Sequence, residues 1–225
     1  MLICISREYR SGGHEIGRML ENALGYSCYD QYILSEAMKL SAISISKEGE
    51  KSDRRWESPG IHNSYSSSKR LDSKVFPLND ANYQLQSSII QKSAAKNSCV
   101  YVGLCADAIL KEAGIQRISL FIAFPFADHI QRIMKLQNLE ENMAAELVCR
   151  TDRHKKIYYY YYTEGGWGQP DHYDLCINSS MLGIEKTADA LLTVVSVFST
   201  TKSGMRTFSW TPLSDQALFY TLSCL

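Results

Sequence analysis

The chain has 225 residues, and its 24 Lys plus Arg balance its 24 Asp plus Glu, so the formal net charge is zero. That length holds one α/β domain with an inserted lobe, or at most two small domains, and a core large enough to need no metal or disulfide staple. The even charge argues against whole-surface attraction to nucleic acid or to an anionic membrane. The longest apolar stretches, near 118–127 and 190–198, are too short to span a bilayer.

Leu2–Ser6 is a short apolar run and predicts a buried strand. A polar, glycine-bearing loop follows over Arg7–Gly13. Ile16, Leu20, Ala23 and Leu24 then recur at helical spacing, with Gly25 where a C-terminal cap belongs. Tyr26–Tyr29 reads as a second strand and Gln31–Leu40 as a helix. Residues 41–76 turn rich in Ser, Lys, Asp and Glu. They suit either a small lobe that closes over a substrate or a disordered surface loop.

Asp80–Lys96 predicts a helix, with Leu85, Ile89 and Ile90 on one side. Ser98–Gly103 and Arg117–Phe124 predict two buried strands with no helix between them. Ala127–Leu136 and Glu140–Tyr160 read as helices, and Leu175–Ile177 as a last strand. Ile184, Ala188, Leu191, Leu192 and Val195 mark a final amphipathic helix. Residues 199–225 show no period and form a tail of unknown role. Apolar strands alternating with helices predict an α/β fold of three αβα layers around a parallel sheet. Ligands of such sheets bind beyond the carboxyl ends of the strands, after Ser6, Tyr29, Gly103 and Phe124.

Seven cysteines stand at 4, 28, 99, 105, 149, 176 and 224, none at C-x-x-C spacing. Cys4, Cys99 and Cys176 fall in apolar runs and read as buried free thiols of a reducing cytoplasm. His62, His129, His154 and His172 are scattered, read as surface residues, and make no zinc spacing with the cysteines. No protein metal-ligand set is predicted. The N-terminus lacks the basic region of a signal peptide, so a cytoplasmic protein is expected.

The loop Arg7–Ile16 lies between a strand and a helix, the setting of a phosphate-binding loop. Consecutive N–H groups of a glycine turn and the positive end of a helix both suit an anion. Its spacing does not match G-x-x-x-x-G-K-[ST], because Gly13 and His14 stand where Lys and Ser/Thr belong. From spacing alone, an ordinary tight turn fits equally well. Arg150 and Arg153 share one helical face ahead of Gly165-Gly166-Trp167-Gly168. They suit either a basic lid or a solvated helix in which Asp152 pairs with Lys155 or Lys156. Of Tyr158–Tyr162, most are expected in the core, with others available to stack on a base. Trp167 either covers a ligand or plugs the sheet edge. Asp30 and Asp107 sit at strand ends or helix starts, as caps or as substrate- or metal-positioning carboxylates.

Ser6-Arg7-Glu8-Tyr9-Arg10-Ser11-Gly12-Gly13-His14-Glu15-Ile16 resembles the opening signature S-R-E-Y-G-S-G-G-R-E-I of the cytidylate kinase-like family. Tyr29-Asp30 resembles its next block. Val102-Gly103-Leu104-Cys105-Ala106-Asp107 resembles V-G-R-C-A-D. The stretch from Tyr158 through Gly166-Trp167-Gly168-Gln169-Pro170 to Tyr173-Asp174-Leu175-Cys176-Ile177-Asn178-Ser179-Ser180 is the most specific block, and the likeness covers roughly residues 2–195. The resemblance implies a P-loop nucleoside-monophosphate-kinase fold with an inserted monophosphate lobe (41–76) and a helical lid (about 150–170). It implies transfer of the γ-phosphoryl of ATP to CMP with Mg²⁺. It places ATP phosphates at Arg10, Ser11, Gly12, Gly13, His14 and Glu15. Substrate falls at Arg7, Asp30, Gly103 and Asp107, and catalytic lid cations at Arg150 and Arg153. Three positions depart from the family: Arg10 replaces a glycine, and His14 and Leu104 each replace an arginine. The departures keep a second expectation open, a degenerate relative that binds nucleotide without phosphoryl transfer.

Overall fold

A computed structural model of the protein describes residues 1–34 and 76–203. Five strands form one parallel sheet: β1 (Leu2–Arg7), β2 (Ser27–Tyr29), β3 (Cys99–Val102), β4 (Ile118–Ala123) and β5 (Leu175–Asn178), in the order β2-β3-β1-β4-β5. β1 lies between β3 and β4, so its apolar run Leu2–Ile5 is buried on both faces. Cys4 stands level with Tyr101 on one side and Ser119 on the other. The connection from β1 leads to β2 on one side, and the connection from β3 leads to β4 on the other. Such a reversal opens a crevice at the carboxyl ends of the strands.

The flanking helices are α1 (Gly13–Leu24), α2 (Phe76–Ala94), α3 (Ala106–Glu112), α4 (Phe126–Gln137), α5 (Glu141–Thr163), α6 (Ser179–Leu182) and α7 (Ile184–Ser203). Ile16 and Leu20 anchor α1 in the core, and Gly25 ends it at φ 66° with its N–H on the Glu21 carbonyl. A helical turn begins at Gln31; the rest of the helix expected to Leu40, and the insert to residue 75, lie outside the described residues. The chain divides into two compact units, Met1–Leu192 and Thr193–Leu225, with α7 crossing the boundary. Of the expected tail, only the helical residues to 203 are described.

Three expectations need correction. A helix, α3, does stand between β3 and β4; at seven residues it is too short to show a helical period, and the three left-handed residues before it hide its start. Cys176 is exposed, because β5 is an edge strand whose alternate side chains face outward. His129 is buried beside the Phe124 ring rather than on the surface, because it lies on the inner face of α4 near Ile133. Of the tyrosine run, Tyr159 is buried, Tyr158 and Tyr162 are partly buried, and Tyr160 and Tyr161 are exposed, as one turn of helix requires.

Candidate active site

The loop after β1 turns back on itself before α1 starts. Ser11 N–H and Oγ both donate to the Glu8 carbonyl (3.4 and 3.1 Å), and Ser179 Oγ donates to the Ser11 carbonyl at 2.6 Å. Gly12 takes φ 87° as the N-cap, and its carbonyl accepts from Ile16 N–H at 2.9 Å. A β-carbon there would meet the Ile184 side chain at 2.7 Å, so the left-handed turn and the packing both require glycine. The first N–H groups of a helix have no intrahelical acceptor. Among the described residues none accepts from the amides of Gly12, Gly13, His14 or Glu15. On α4, Arg132 pairs with Glu15 (Nη2 to Oε1, 2.8 Å), and its Nη1 lies 3.8 Å from where a Gly12 β-carbon would stand.

The loop contains no lysine, and the cation at its root comes from α5. Lys155 Nζ donates to Asp152 Oδ1 at 3.1 Å and to the Arg7 carbonyl at 3.4 Å. Asp152 Oδ1 also accepts the Tyr9 N–H at 2.7 Å, so this one carboxylate ties α5 to the loop. The ammonium lies over two rings, Tyr9 at 5.4 Å and Trp167 at 5.9 Å from their centroids. Trp167 meanwhile packs edge-on against Phe121 of β4, so it plugs the sheet face and borders the lysine at once. Burial pushes the Lys155 amine down to about 8, with Asp152 resisting and Arg7 adding to the fall. Burial likewise raises the nearby Glu8 carboxyl, although Phe124 N–H donates to it at 2.6 Å.

Arg7 points from β1 toward β3. A β-carbon on Gly13 would meet the Arg7 stem at 2.6 Å, and one on Gly103 would meet its guanidinium carbon at 2.8 Å. The turn beneath it is three consecutive left-handed residues: Gly103 (φ 79°), Leu104 (φ 69°) and Cys105 (φ 52°). Left-handed backbone costs about 1–2 kcal/mol for a residue with a β-carbon, so the surroundings must hold it. Gly103 N–H donates to the Ile5 carbonyl at 2.8 Å, and Gln86 Nε2 to the Leu104 carbonyl at 2.6 Å. Such strain, fixed at a strand end, is characteristic of ligand sites.

The model of the cytidylate kinase-like family matches residues 2–181. The chain belongs to the cytidylate kinase-like family. Among solved structures, an uncharacterized protein from Eubacterium ventriosum ATCC 27560 is similar at 24% identity and TM-score 0.63, over 87% of this chain and 98% of that one. A gluconokinase from Sinorhizobium meliloti 1021 is similar at 13% identity and TM-score 0.51, over 90% of this chain and 97% of that one. These likenesses agree on the fold. No curated protein matches the sequence significantly. Family and fold together make this a protein of the nucleotide-kinase type.

The three departures from the cytidylate kinase-like pattern have distinct structural outcomes. Arg10 adopts φ 57°, the left-handed conformation a glycine would take freely, and its exposed guanidinium lies 5.7 Å from the Tyr9 ring centroid. His14 turns from the loop toward β2, with Nδ1 3.5 Å from Asp30 Oδ2. Leu104 sits in the strained turn beside Arg7 and offers no charge. Asp30 caps the helical turn after it through Ile33 N–H (2.8 Å) and also pairs with Arg18 at 3.4 Å. Asp107 is buried, accepts the Tyr159 hydroxyl at 2.6 Å, and is pushed upward by burial. Its carboxylate therefore faces the core rather than the crevice.

The structure brings Arg7, Gly103 and the Ser11–Glu15 turn together. It does not bring Arg150 and Arg153 to them. Residues 150–163 continue α5, whose inner face carries Val148, Thr151 and Tyr159. Arg153 is exposed, roughly 200° around the helix from Lys155. Neither arginine makes an ion pair or hydrogen bond among the described residues. Lys155 and Arg132 were not singled out for the site by sequence. Yet Val148, Thr151, Asp152, Lys155 and Tyr159 recur at helical spacing, which puts a lysine on a core-facing stripe.

Among the described residues, no three His, Cys, Asp or Glu side chains gather as a metal cage. That is compatible with Mg²⁺ carried on substrate phosphates, which keeps several waters and needs only one or two carboxylates. Glu8 and Asp152 are two carboxylates at this end of β1. Both already accept backbone amides, so they would hold the ion through its waters. Bound there, Mg²⁺ would supply charge neutralisation between phosphates.

Proposed function

We propose that the protein transfers the γ-phosphoryl group of ATP to a nucleoside monophosphate, CMP foremost. The observation that carries this reading is Lys155. It sets an ammonium at the root of a loop whose helix-end amides, Gly12–Glu15, have no described acceptor. In this reading the amides and Arg132 hold the ATP phosphates. Lys155 neutralises charge at the transferring group, and Arg7, lying over Gly103, holds the monophosphate. A phosphate oxygen of the acceptor attacks the γ-phosphorus as the β,γ-bridging bond breaks, and ADP leaves. Positioning and charge neutralisation suffice, and no covalent protein intermediate is required.

A second reading, nucleotide binding without transfer, is favoured by one observation. Lys155 and Arg132 each already pair with a carboxylate, and His14 faces Asp30. A coupled ADP-release assay over a panel of nucleoside monophosphates, with ATP and Mg²⁺, separates the two. Transfer predicts ADP formation that depends on CMP. ATP binding with no ADP above the ATP-alone background selects the second reading.

A further inference from the structure

The corner that follows β5 reaches back to the loop between β1 and α1. Asp174 fixes the start of β5: its Oδ2 accepts the Ser119 N–H at 2.7 Å and the Ser119 hydroxyl at 2.9 Å. At the end of β5, Asn178 stands level with Ala123 of β4, and its side chain accepts the Ser180 N–H at 2.9 Å. Ser179 therefore opens α6 at a fixed place, and Gly183 N–H closes the turn on its carbonyl at 3.0 Å. Ser179 is 1% exposed, and its one hydroxyl proton has two carbonyls in reach, Ser11 at 2.6 Å and Ala123 at 3.3 Å. The shorter bond is the one to Ser11.

The carbonyl that Ser179 holds decides where the next amide points. No described peptide bond is cis, and across a planar trans peptide the C=O and N–H point in opposite directions. With the Ser11 oxygen turned toward Ser179, the Gly12 N–H turns away from it. Gly12 is buried, yet this N–H meets no acceptor among the described residues. A buried amide without a protein acceptor is rare and calls for a ligand or a water. The backbone alone does not hold this orientation. A half-turn of the Ser11–Gly12 peptide changes ψ of Ser11 and φ of Gly12, and glycine accepts either sign of φ. The inverted peptide would present a carbonyl oxygen where the amide now stands.

We propose that Ser179 is a positioning residue, whose hydroxyl latches the Ser11–Gly12 peptide with the Gly12 N–H facing the bound phosphates. The proposal rests on the reading of the Ser11–Glu15 turn as the ATP phosphate site, and not on phosphoryl transfer. Ser179 itself touches no substrate. A donor set in place beforehand costs no reorganisation when the anion arrives. Without the hydroxyl, the peptide samples both orientations, and the inverted one turns the negative end of a carbonyl dipole toward the anion. Ile184, at the start of α7, lies against Gly12. That contact survives the loss of the hydroxyl, so the turn stays docked while its peptide is released.

The test is titration of the full chain with ATP and Mg²⁺, followed by calorimetry and by ¹H–¹⁵N NMR at the Gly12 amide. In the wild type the Gly12 proton is expected to move downfield as it meets a phosphate oxygen. Ser179→Ala is expected to bind ATP roughly tenfold more weakly, with a smaller Gly12 displacement at saturation. Ser180→Ala, next in the chain, should match the wild type. A hydroxyl that served folding alone would, on removal, lower the melting temperature and leave ATP affinity and the saturated Gly12 resonance unchanged. Should Ser179→Ala not fold, Ser179→Cys decides, because a thiol is a weak donor of similar shape; weaker ATP binding and a smaller Gly12 displacement are expected there too. Wild-type affinity or a wild-type Gly12 displacement in the folded variant overturns the latch and leaves the ATP-site reading standing. A wild type that binds no ATP, or that binds it with the Gly12 amide unmoved, overturns that reading and the latch with it.

Discussion

Arg7 reaches from the end of β1 to cover Gly103 at the end of β3, its guanidinium carbon 2.8 Å from where a β-carbon on Gly103 would stand. The three atoms nearest that β-carbon position all belong to the Arg7 guanidinium, and Gly103 itself holds φ 79°. Gly103→Ala therefore pushes the guanidinium aside and adds about 1–2 kcal/mol of backbone strain. The expected result is a raised KM for the monophosphate with ATP affinity nearly unchanged. Paired binding titrations of the two nucleotides check it; equal losses for both would place Arg7 elsewhere in the reaction.

The departures at 14 and 104 are not equivalent. In the proposed reaction an arginine at 104 would join Arg7 at the monophosphate, adding a charge-assisted contact worth about 1.5–3 kcal/mol. Leu104→Arg is expected to raise kcat/KM for CMP by one to two decades. His14→Arg points instead toward Asp30, 3.5 Å from the present imidazole, and is expected to change little. Steady-state kinetics of the two single variants distinguishes them, and a larger gain from His14→Arg would reverse the assignment.

Gly12 is fixed by its turn and by its packing together. Its φ of 87° and the Ile184 side chain at 2.7 Å both resist a β-carbon. Gly12→Ala is expected to cost at least about 1–2 kcal/mol from backbone strain alone. Gly25→Ala makes the control, because its φ is also positive at 66° but its surroundings are open. Urea melts should show Gly12→Ala losing more than Gly25→Ala; equal losses would mean that Ile184 yields freely.

The fold was legible because the central strands are uniform. Leu2–Ile5, Val100–Val102 and Ile118–Ile122 are buried on both faces and mostly apolar, as a covered parallel sheet requires. The glycine turn before α1 was legible for the same local reason. What the sequence hid was phase and edge. α3 is too short to declare a period, and Cys176 looks buried until β5 proves to be an edge strand. Arg150 and Arg153 share a face, but it is the outer one. The stripe through Val148, Asp152 and Lys155 is the inner one, and its salt bridge is held against the loop rather than solvated. Reading Lys155 by helical phase rather than by charge count would have found it.

Lys155 is the central claim, and its protonation tests it most directly. The amine titrates near 8, so the free protein loses this charge above that pH, whereas an arginine at the position keeps it. ATP affinity should be measured by calorimetry from neutral pH to about pH 9.5, a window in which lysine with its reference value stays charged. The wild type is expected to weaken as pH rises through and above 8, by about tenfold for one lost charged contact. Lys155→Arg should bind with a flat profile, Lys155→Met should be weak throughout, and Arg153→Ala should follow the wild type. A wild-type profile that is flat, or that Lys155→Met reproduces at every pH, would contradict the account.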